Sequence, residues 1–138
     1  VTEPERLARW LAEIDGDTRG GEPFRARFTS GWEGTLRVDV CEAPHHLVLT
    51  STDDDGETVM EATLVPEADG TRLIVEERGL PLSEYTAHGA GWQAHLEDLG
   101  SVLAGRERSS WIDRLRQLKP SYDRISGSQG SSPSNYEG

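Results

Sequence analysis

The sequence predicts an α+β fold in which an antiparallel meander of five strands is followed by a long helix. Between residues 24 and 78 apolar and polar residues alternate, which is typical of half-buried strands, whereas after residue 81 apolar residues recur at helical spacing. The strands are separated by short turns, and parallel pairing would need crossovers of about a dozen residues or more. Neighbouring strands are therefore expected to pair antiparallel.

A helix is predicted first, over Pro4–Ile14. Its apolar residues follow helical spacing, Thr2 is a suitable N-cap, and Asp15-Gly16-Asp17 would end it. These apolar residues are Leu7, Trp10, Leu11 and Ile14.

Five strands are then predicted, with turn residues between them. The third and fourth are joined by Asp53-Asp54-Asp55-Gly56, whose Asp-Gly pair suits a tight hairpin. On the second strand, alternation places Leu36, Val38 and Val40 on one face. The strands are expected over residues 24–29, Trp32–Cys41 and His46–Thr52, then from the hairpin to Pro66, and over Thr71–Arg78.

The main helix is predicted to run from a cap at Ser83 to Gly105. A short second helix, about residues 109–119, would begin at Ser110 and stop at Pro120. A single domain would cover residues 1–125. The segment 126–138 has little to bury and is expected to be a flexible tail.

Composition restricts the partners. The 138 residues include 14 Lys and Arg against 25 Asp and Glu, and the net charge of −11 repels nucleic acid and anionic membranes. No apolar run is long enough to span a bilayer, and no signal-like leader is seen, so a cytoplasmic protein is expected. Cys41 is the only cysteine and cannot form an internal disulfide.

The common enzyme motifs are missing. The sequence has no Gly-x-Ser-x-Gly elbow, phosphate-binding glycine loop, His-Glu-x-x-His or paired cysteines, so no cofactor and no metal are expected.

The acidic run Asp53–Glu57 is interpreted as a solvated turn. Glu97 and Asp98 are interpreted as a solvated helix face, and Gly89 and Gly91 as sites where the main helix packs closely on the sheet.

Several short motifs resemble, in order and spacing, bacterial proteins similar to the C-terminal domain of the activator of the heat-shock-protein-90 ATPase, within the START-like (SRPBCC) superfamily. The resemblance implies a helix-grip fold, a curved antiparallel β-sheet wrapped around a long C-terminal α-helix with an apolar cavity between them. Such proteins carry a strand before the residues matching Val1-Thr2, so this first strand is expected to be missing, and Ser51 stands where the third strand often carries tryptophan. The resembling residues are 2–10, Glu42-Ala43-Pro44, Leu47-Val48, Gly70-Thr71-Arg72-Leu73, Gly79-Leu80-Pro81, Gly91-Trp92, Leu96 and Leu99.

The implied cavity is expected to hold a small apolar or aromatic molecule. By parity with Leu73 and Val75, Glu77 should face the concave side of the sheet, and His95 lies beside the helix face that meets it. Glu77 and His95 are therefore candidates for a ligand-orienting or a proton-transfer pair, the alternative being a structural hydrogen bond. The candidate ligand-binding residues are Trp10, Phe24, Phe28, Val38, Leu49, Met60, Leu73, Val75, Glu77, Trp92, His95, Leu96 and Leu99.

Three functions stay open at this stage. A non-catalytic small-molecule binding module is favoured, because the resemblance implies a cavity and no catalytic residue can be assigned. The alternatives are an enzyme similar to the polyketide cyclases and aromatases of the same superfamily, using Glu77, His95 or Tyr85, and a protein-interaction or co-chaperone-like module. The aromatic candidates could equally be core residues. A homodimer is left open.

Overall fold

Strands occupy the first part of the chain and two long helices follow. The computed structural model describes residues 4–130, and the side chains of residues 4–125. These residues form a sheet unit (residues 4–8 and 12–80) and a helical unit (residues 9–11 and 81–130). The elements are α1 (Pro4–Leu7), β1 (Ala12–Asp15), β2 (Phe24–Phe28), β3 (Glu33–Glu42), β4 (His46–Asp53), β5 (Gly56–Glu67), β6 (Gly70–Arg78), a 3-10 turn (Leu82–Glu84), α2 (Tyr85–Leu103) and α3 (Trp111–Gly130).

The sheet unit contains a six-stranded sheet in the order β1-β2-β3-β4-β5-β6. Each strand pairs antiparallel with the next strand in the chain, as the short turns predict. The β4–β5 hairpin closes with Asp53 opposite Gly56, and Gly56 has a φ of 127°, a conformation that residues with a side chain rarely adopt. The predicted meander is confirmed.

The first predicted helix is wrong beyond Leu7. The helix α1 covers Pro4–Leu7, and residues 12–15 instead form strand β1, which pairs with β2 through Ala12 opposite Phe28 and Ile14 opposite Ala26. Burial alternates along β1, as in a strand, and a segment this short fits either periodicity. Pairing with β2 decides between the two periodicities because it supplies the backbone hydrogen bonds. The Thr2 cap lies outside the described residues.

Strand β3 contains an irregularity that sequence parity did not anticipate. Val38 lies opposite Leu49, but the register shifts between Val38 and Val40, so that Val40 lies opposite Val48 and not on the face of Val38. Asp39 is the extra residue, and its carboxylate accepts hydrogen bonds from Arg37 at 2.7 Å and from the hydroxyl of Thr50. The expectation that Leu36, Val38 and Val40 share one face is therefore wrong for Val40.

One face of the sheet holds the buried apolar side chains of the sheet unit. Leu36 lies opposite Phe24, and Ala12 opposite Phe28, so the register places their side chains on the same side. Ala12, Phe24, Ala26 and Leu36 are all buried, whereas their neighbours along the strands are more exposed. The predicted alternation therefore reports this face correctly over β2 and the first half of β3.

Helix α3 begins where the sequence predicts it and ends later. The backbone N–H of Asp113 bonds to the hydroxyl oxygen of Ser110 at 3.4 Å, as a capping serine should. The helix continues through Pro120 to Gly130, so the predicted stop at Pro120 is wrong. A proline inside a helix removes one backbone hydrogen bond, and contacts made by the next turn compensate. The hydroxyl of Tyr122 donates to the side-chain carbonyl of Gln93 on α2 at 2.8 Å.

Helices α2 and α3 meet where α2 has small residues and α3 has large ones. Ala90, Ala94 and Leu118 are buried together, and Trp111, Leu115 and Tyr122 pack against them. A Cβ atom on Gly89 would lie 2.8 Å from the ring of Tyr122, and one on Gly91 would lie 3.1 Å from the ring of Trp111. The predicted close packing at these glycines is therefore present, but its partners are rings of α3.

The fold class is confirmed as α+β of the helix-grip type, with a six-stranded antiparallel sheet and the long helix α2 after it. None of the helices in the described part of the chain is both long and apolar enough to cross a bilayer.

A substitution at Gly89 tests the contact between the helices. We expect Gly89→Ala to lower the free energy of unfolding by about 1–3 kcal/mol, because Tyr122 is held by its bond to Gln93 and must move to admit a methyl group. Gly100→Ala is the matched control on the same helix. No atom lies within 4 Å of a Cβ atom there, so the better helix propensity of alanine should raise stability by up to about 1 kcal/mol.

Urea unfolding of both variants measures the difference. Equal effects at the two glycines would show that Tyr122 does not restrict the space beside Gly89.

Candidate functional site

The polar centre of the helical unit is the imidazole of His95 on α2. Its residue is only 4% exposed. The ring of Trp92 lies one turn earlier on α2, with centroids 5.7 Å apart and planes at 63°. The ring of Trp111, on α3, has its centroid 5.4 Å from that of the His95 imidazole, and the two ring planes make an angle of 33°. His95 is thus surrounded by indole rings contributed by both helices.

The imidazole is held in its neutral form. The pKa of His95 is lowered to about 4, mainly by burial and also by the nearby charge of Arg108, while a hydrogen bond to the backbone of Trp10 acts in the opposite direction. A partner that favours the protonated ring is an acceptor, so we assign the bond as a ring N–H donating to the carbonyl of Trp10. At neutral pH this ring therefore has a fixed tautomer and no charge.

A second buried polar group, Asp98, follows one turn later on α2. Its residue is 2% exposed, so the interpretation of Glu97 and Asp98 as a solvated face is correct for Glu97 and wrong for Asp98. The backbone and side chain of Ser109 both hydrogen-bond the carboxyl group. Burial raises the pKa of Asp98, whereas the charge of Arg108 and the two bonds from Ser109 lower it. Among the described residues, its Oδ2 atom has no hydrogen-bond partner.

Sequence reasoning missed Asp98, Ser109 and Trp111 as parts of this cluster. Asp98 follows His95 by three residues, a spacing that places two side chains on one helix face. This spacing predicts that Asp98 shares the helix face of His95. The interpretation of Glu97 and Asp98 as one solvated acidic pair left this prediction out. Trp111 and Ser109 could not be found in this way, because their positions depend on how α3 packs against α2.

Eight of the predicted ligand-binding residues lie in the sheet unit, and four of these form one row across the strands. Val38 lies opposite Leu49, Leu49 opposite Met60, and Met60 opposite Glu77. Residues opposite each other share a face, so the row places one carboxylate in line with three apolar side chains. All four are half-buried. Glu77 shares the face of Leu73 and Val75, as parity predicts, and the concave, ligand-facing character of this face stays a prediction.

The remaining predicted residues are divided between the two units. Leu73 and Val75 lie on the face of Glu77, opposite Leu64 and Ala62. Phe24 is buried on β2, and Phe28 meets Trp32 edge to face at 5.2 Å. In the helical unit Trp10 is buried, and Trp92, Leu96 and Leu99 are half-buried. The cavity and the Glu77–His95 pair stay predictions.

The opposite face of the sheet carries a network of charged side chains. His46 bonds to Glu61 and, at 3.3 Å, to Glu42, and Arg78 donates to Glu61 at 3.0 Å. Glu61 is the main cause that raises the pKa of His46. The network links β3, β4, β5 and β6 and is explained as a structural feature of a partly exposed face. Within the described residues, no group of three or more His, Cys, Asp or Glu side chains is placed to hold a metal ion.

The cluster on α2 can therefore perform two kinds of chemistry. A buried, neutral imidazole can hydrogen-bond a ligand or accept a proton from it, because it is desolvated and has a fixed tautomer. A buried carboxyl group with an unpaired oxygen can accept one further hydrogen bond. The flanking indole rings provide flat apolar surface for an aromatic group.

Comparison with known proteins gave one family and several structures. The model of the family described as activator of Hsp90 ATPase homolog 1-like protein matches residues 1–104. No curated protein matches significantly. The crystal structure of CalU16 from Micromonospora echinospora is similar with a TM-score of 0.75 and 25% identity, covering 91% of this chain and 76% of that one.

Two further structures are similar. A Bordetella parapertussis protein solved by NMR has a TM-score of 0.70 and 21% identity, over 88% of this chain and 74% of that one. DynU16, described as a protein in the dynemicin biosynthetic locus, has a TM-score of 0.66 and 26% identity, over 78% of this chain and 42% of that one. Because the likeness to CalU16 covers 91% of the chain, it extends beyond residue 104 into the segment that contains α3.

The pH dependence of stability tests the burial of His95. Because its pKa is lowered from 6.5 to about 4 by folding, the unfolded chain binds the proton first as the pH falls. The contribution of the neutral His95 to the free energy of unfolding is thus fully present above pH 6.5 and is lost between pH 6.5 and 4. At 1.36 kcal/mol per pKa unit, this contribution is roughly 3 kcal/mol.

Urea unfolding at pH 7.5 and 4.5 measures this contribution, with His95→Gln as the control that cannot take up the proton. Asp98 titrates in both proteins and cancels in the comparison. The wild type should lose more stability than the variant on acidification. Equal losses would contradict the burial of a neutral imidazole.

Proposed function

Because the chain belongs to the activator of Hsp90 ATPase homolog 1-like family, we propose that it is a non-catalytic binding module for a small apolar or aromatic molecule. The ligand would offer a flat apolar body and one hydrogen-bonding group. A net charge of −11 disfavours an anionic ligand.

The observation that carries this proposal is the neutral imidazole of His95 between the rings of Trp92 and Trp111. Binding sites for small molecules are mostly apolar, with a few fixed polar groups that orient the ligand. His95 has these properties, since the bond to the Trp10 backbone fixes its ring and burial removes its charge. A surface histidine would have neither.

The sheet unit supports the same kind of ligand. The row Val38, Leu49, Met60 and Glu77 presents half-buried apolar side chains with a single carboxylate at one end. Half-buried apolar residues retain surface that a ligand can cover, unlike the fully buried Phe24 and Leu36. Glu77 would hydrogen-bond a polar group of a ligand that lies on this face of the sheet.

Two related probes test the proposal. 2-Naphthol and naphthalene differ by one hydroxyl, and tryptophan fluorescence can follow both titrations. We expect 2-naphthol to bind the wild type more tightly, because its hydroxyl pairs with a buried polar group, and His95→Phe to reduce that preference by about tenfold.

His88→Gln is the matched control, since His88 lies on the same helix, is partly exposed and pairs with Glu84 at 3.5 Å. It should bind both probes like the wild type. Native mass spectrometry of freshly purified protein would identify a natural ligand. The absence of binding to either probe, together with no co-purified molecule, would refute the binding function.

A second candidate is an enzyme that uses the same residues, similar to a polyketide cyclase or aromatase. The similar DynU16 comes from a biosynthetic locus. The neutral imidazole of His95 would orient a substrate hydroxyl by accepting its hydrogen bond, since a pKa of about 4 makes it a weak base at neutral pH. The two functions differ in turnover. A molecule that co-purifies, is returned to the protein and leaves unchanged supports binding alone, whereas conversion that is lost in His95→Phe supports the enzyme.

A further inference from the structure

Asp98 on α2 has a carboxyl group that is buried and only partly paired. The residue is 2% exposed, and the backbone and side chain of Ser109 hydrogen-bond its carboxyl group. The oxygen Oδ2 is itself buried and has no hydrogen-bond partner among the described residues.

An unpaired buried polar atom needs an explanation, because native proteins pair nearly all of them with protein groups or with bound molecules. Protonation of the carboxyl group does not supply one, since an O–H at Oδ2 would itself be an unpaired buried donor. Arg108 acts on Asp98 through its charge without a hydrogen bond to Oδ2. The partner must therefore come from outside the described chain.

We propose that Asp98 Oδ2 is the acceptor of an internal site that binds the N–H or O–H donor of a small molecule. The site is built by α2 and by the loop before α3, where Ser109 hydrogen-bonds the carboxyl group. Ser109 lies beyond residues 1–104, the part of the chain that the family model matches. The family match alone does not describe this site.

The donor has two sources with the same chemistry, an internal water or the polar end of a bound ligand. Buried waters commonly pair with buried polar groups of this kind. The second source rests on the proposed function, because it uses Asp98 to orient the ligand close to His95, one turn away on the same helix. Both sources require Oδ2 to act as an acceptor.

Asp98→Asn tests this requirement directly. Asparagine retains the shape and the oxygen that accepts from Ser109, but it replaces the second oxygen by an NH₂ donor, which repels an incoming donor. Glu97→Gln is the matched control, because Glu97 is the neighbouring carboxylate on α2 but is exposed and pairs with Arg114 at 2.6 Å.

For the water, oxygen-17 magnetic relaxation dispersion counts long-lived internal waters. Because water can also accept from an NH₂ group, this measurement uses Asp98→Leu, which has no polar group. We expect the wild type and Glu97→Gln to hold one long-lived water that Asp98→Leu lacks. For the ligand, benzylamine and toluene are matched probes with and without N–H donors. If a ligand group is the donor, benzylamine should bind the wild type and weaken about tenfold or more in Asp98→Asn, with toluene binding unchanged.

Wild-type NMR keeps the test decisive if Asp98→Asn does not fold. The amide proton of Ser109, which is bonded to Asp98, should show a cross-peak to long-lived water or a shift on addition of benzylamine. Either result supports the site and identifies its source. Absence of both overturns it, and the 2-naphthol titration then still decides the proposed function, because that test depends on His95.

Discussion

Two polar side chains buried on α2, His95 and Asp98, impose the constraint on which the helical unit depends. A buried imidazole and a buried carboxyl group are costly unless they are hydrogen-bonded. Their partners come from outside α2, the backbone of Trp10 for His95 and Ser109 for Asp98. Residues 9–11 and the loop before α3 must therefore lie against α2, although they are far apart in the chain. This requirement explains why residues 9–11 belong to the helical unit.

The small residues of α2 make this arrangement sterically feasible. Gly89 and Gly91 leave room for the rings of Tyr122 and Trp111, and the indole N–H of Trp111 donates to the carbonyl of Gly91 at 3.2 Å. Trp111 can therefore lie beside His95 while its own polar atom is paired. Polar groups of both helices are thus satisfied at the place where the rings meet, and Oδ2 of Asp98 is the exception among the described residues.

The strands after residue 23 could be predicted because alternation over five or more residues, with turns between, is a local property. Strand β1 and the continuation through Pro120 could not, since each depends on a distant partner, β2 for the first and α2 for the second. Parity placed Glu77 correctly on a regular strand and failed at Val40, where a bulge inserts one residue. In the same way, periodicity places His95 and Asp98 on one face of α2, but it does not predict the burial of Asp98. That burial depends on the loop that contains Ser109.

The family model and the structural likeness differ in extent, and this difference locates the distinctive part of the site. His95 and Asp98 fall within residues 1–104, whereas Ser109 and Trp111 follow them. The likeness to CalU16 continues into the segment that contains α3. Trp111 and Ser109 complete the surroundings of His95 and Asp98 in this chain. The burial of these two polar groups therefore depends on residues that the family match does not include, and a ligand bound beside His95 as proposed would meet Trp111 as well.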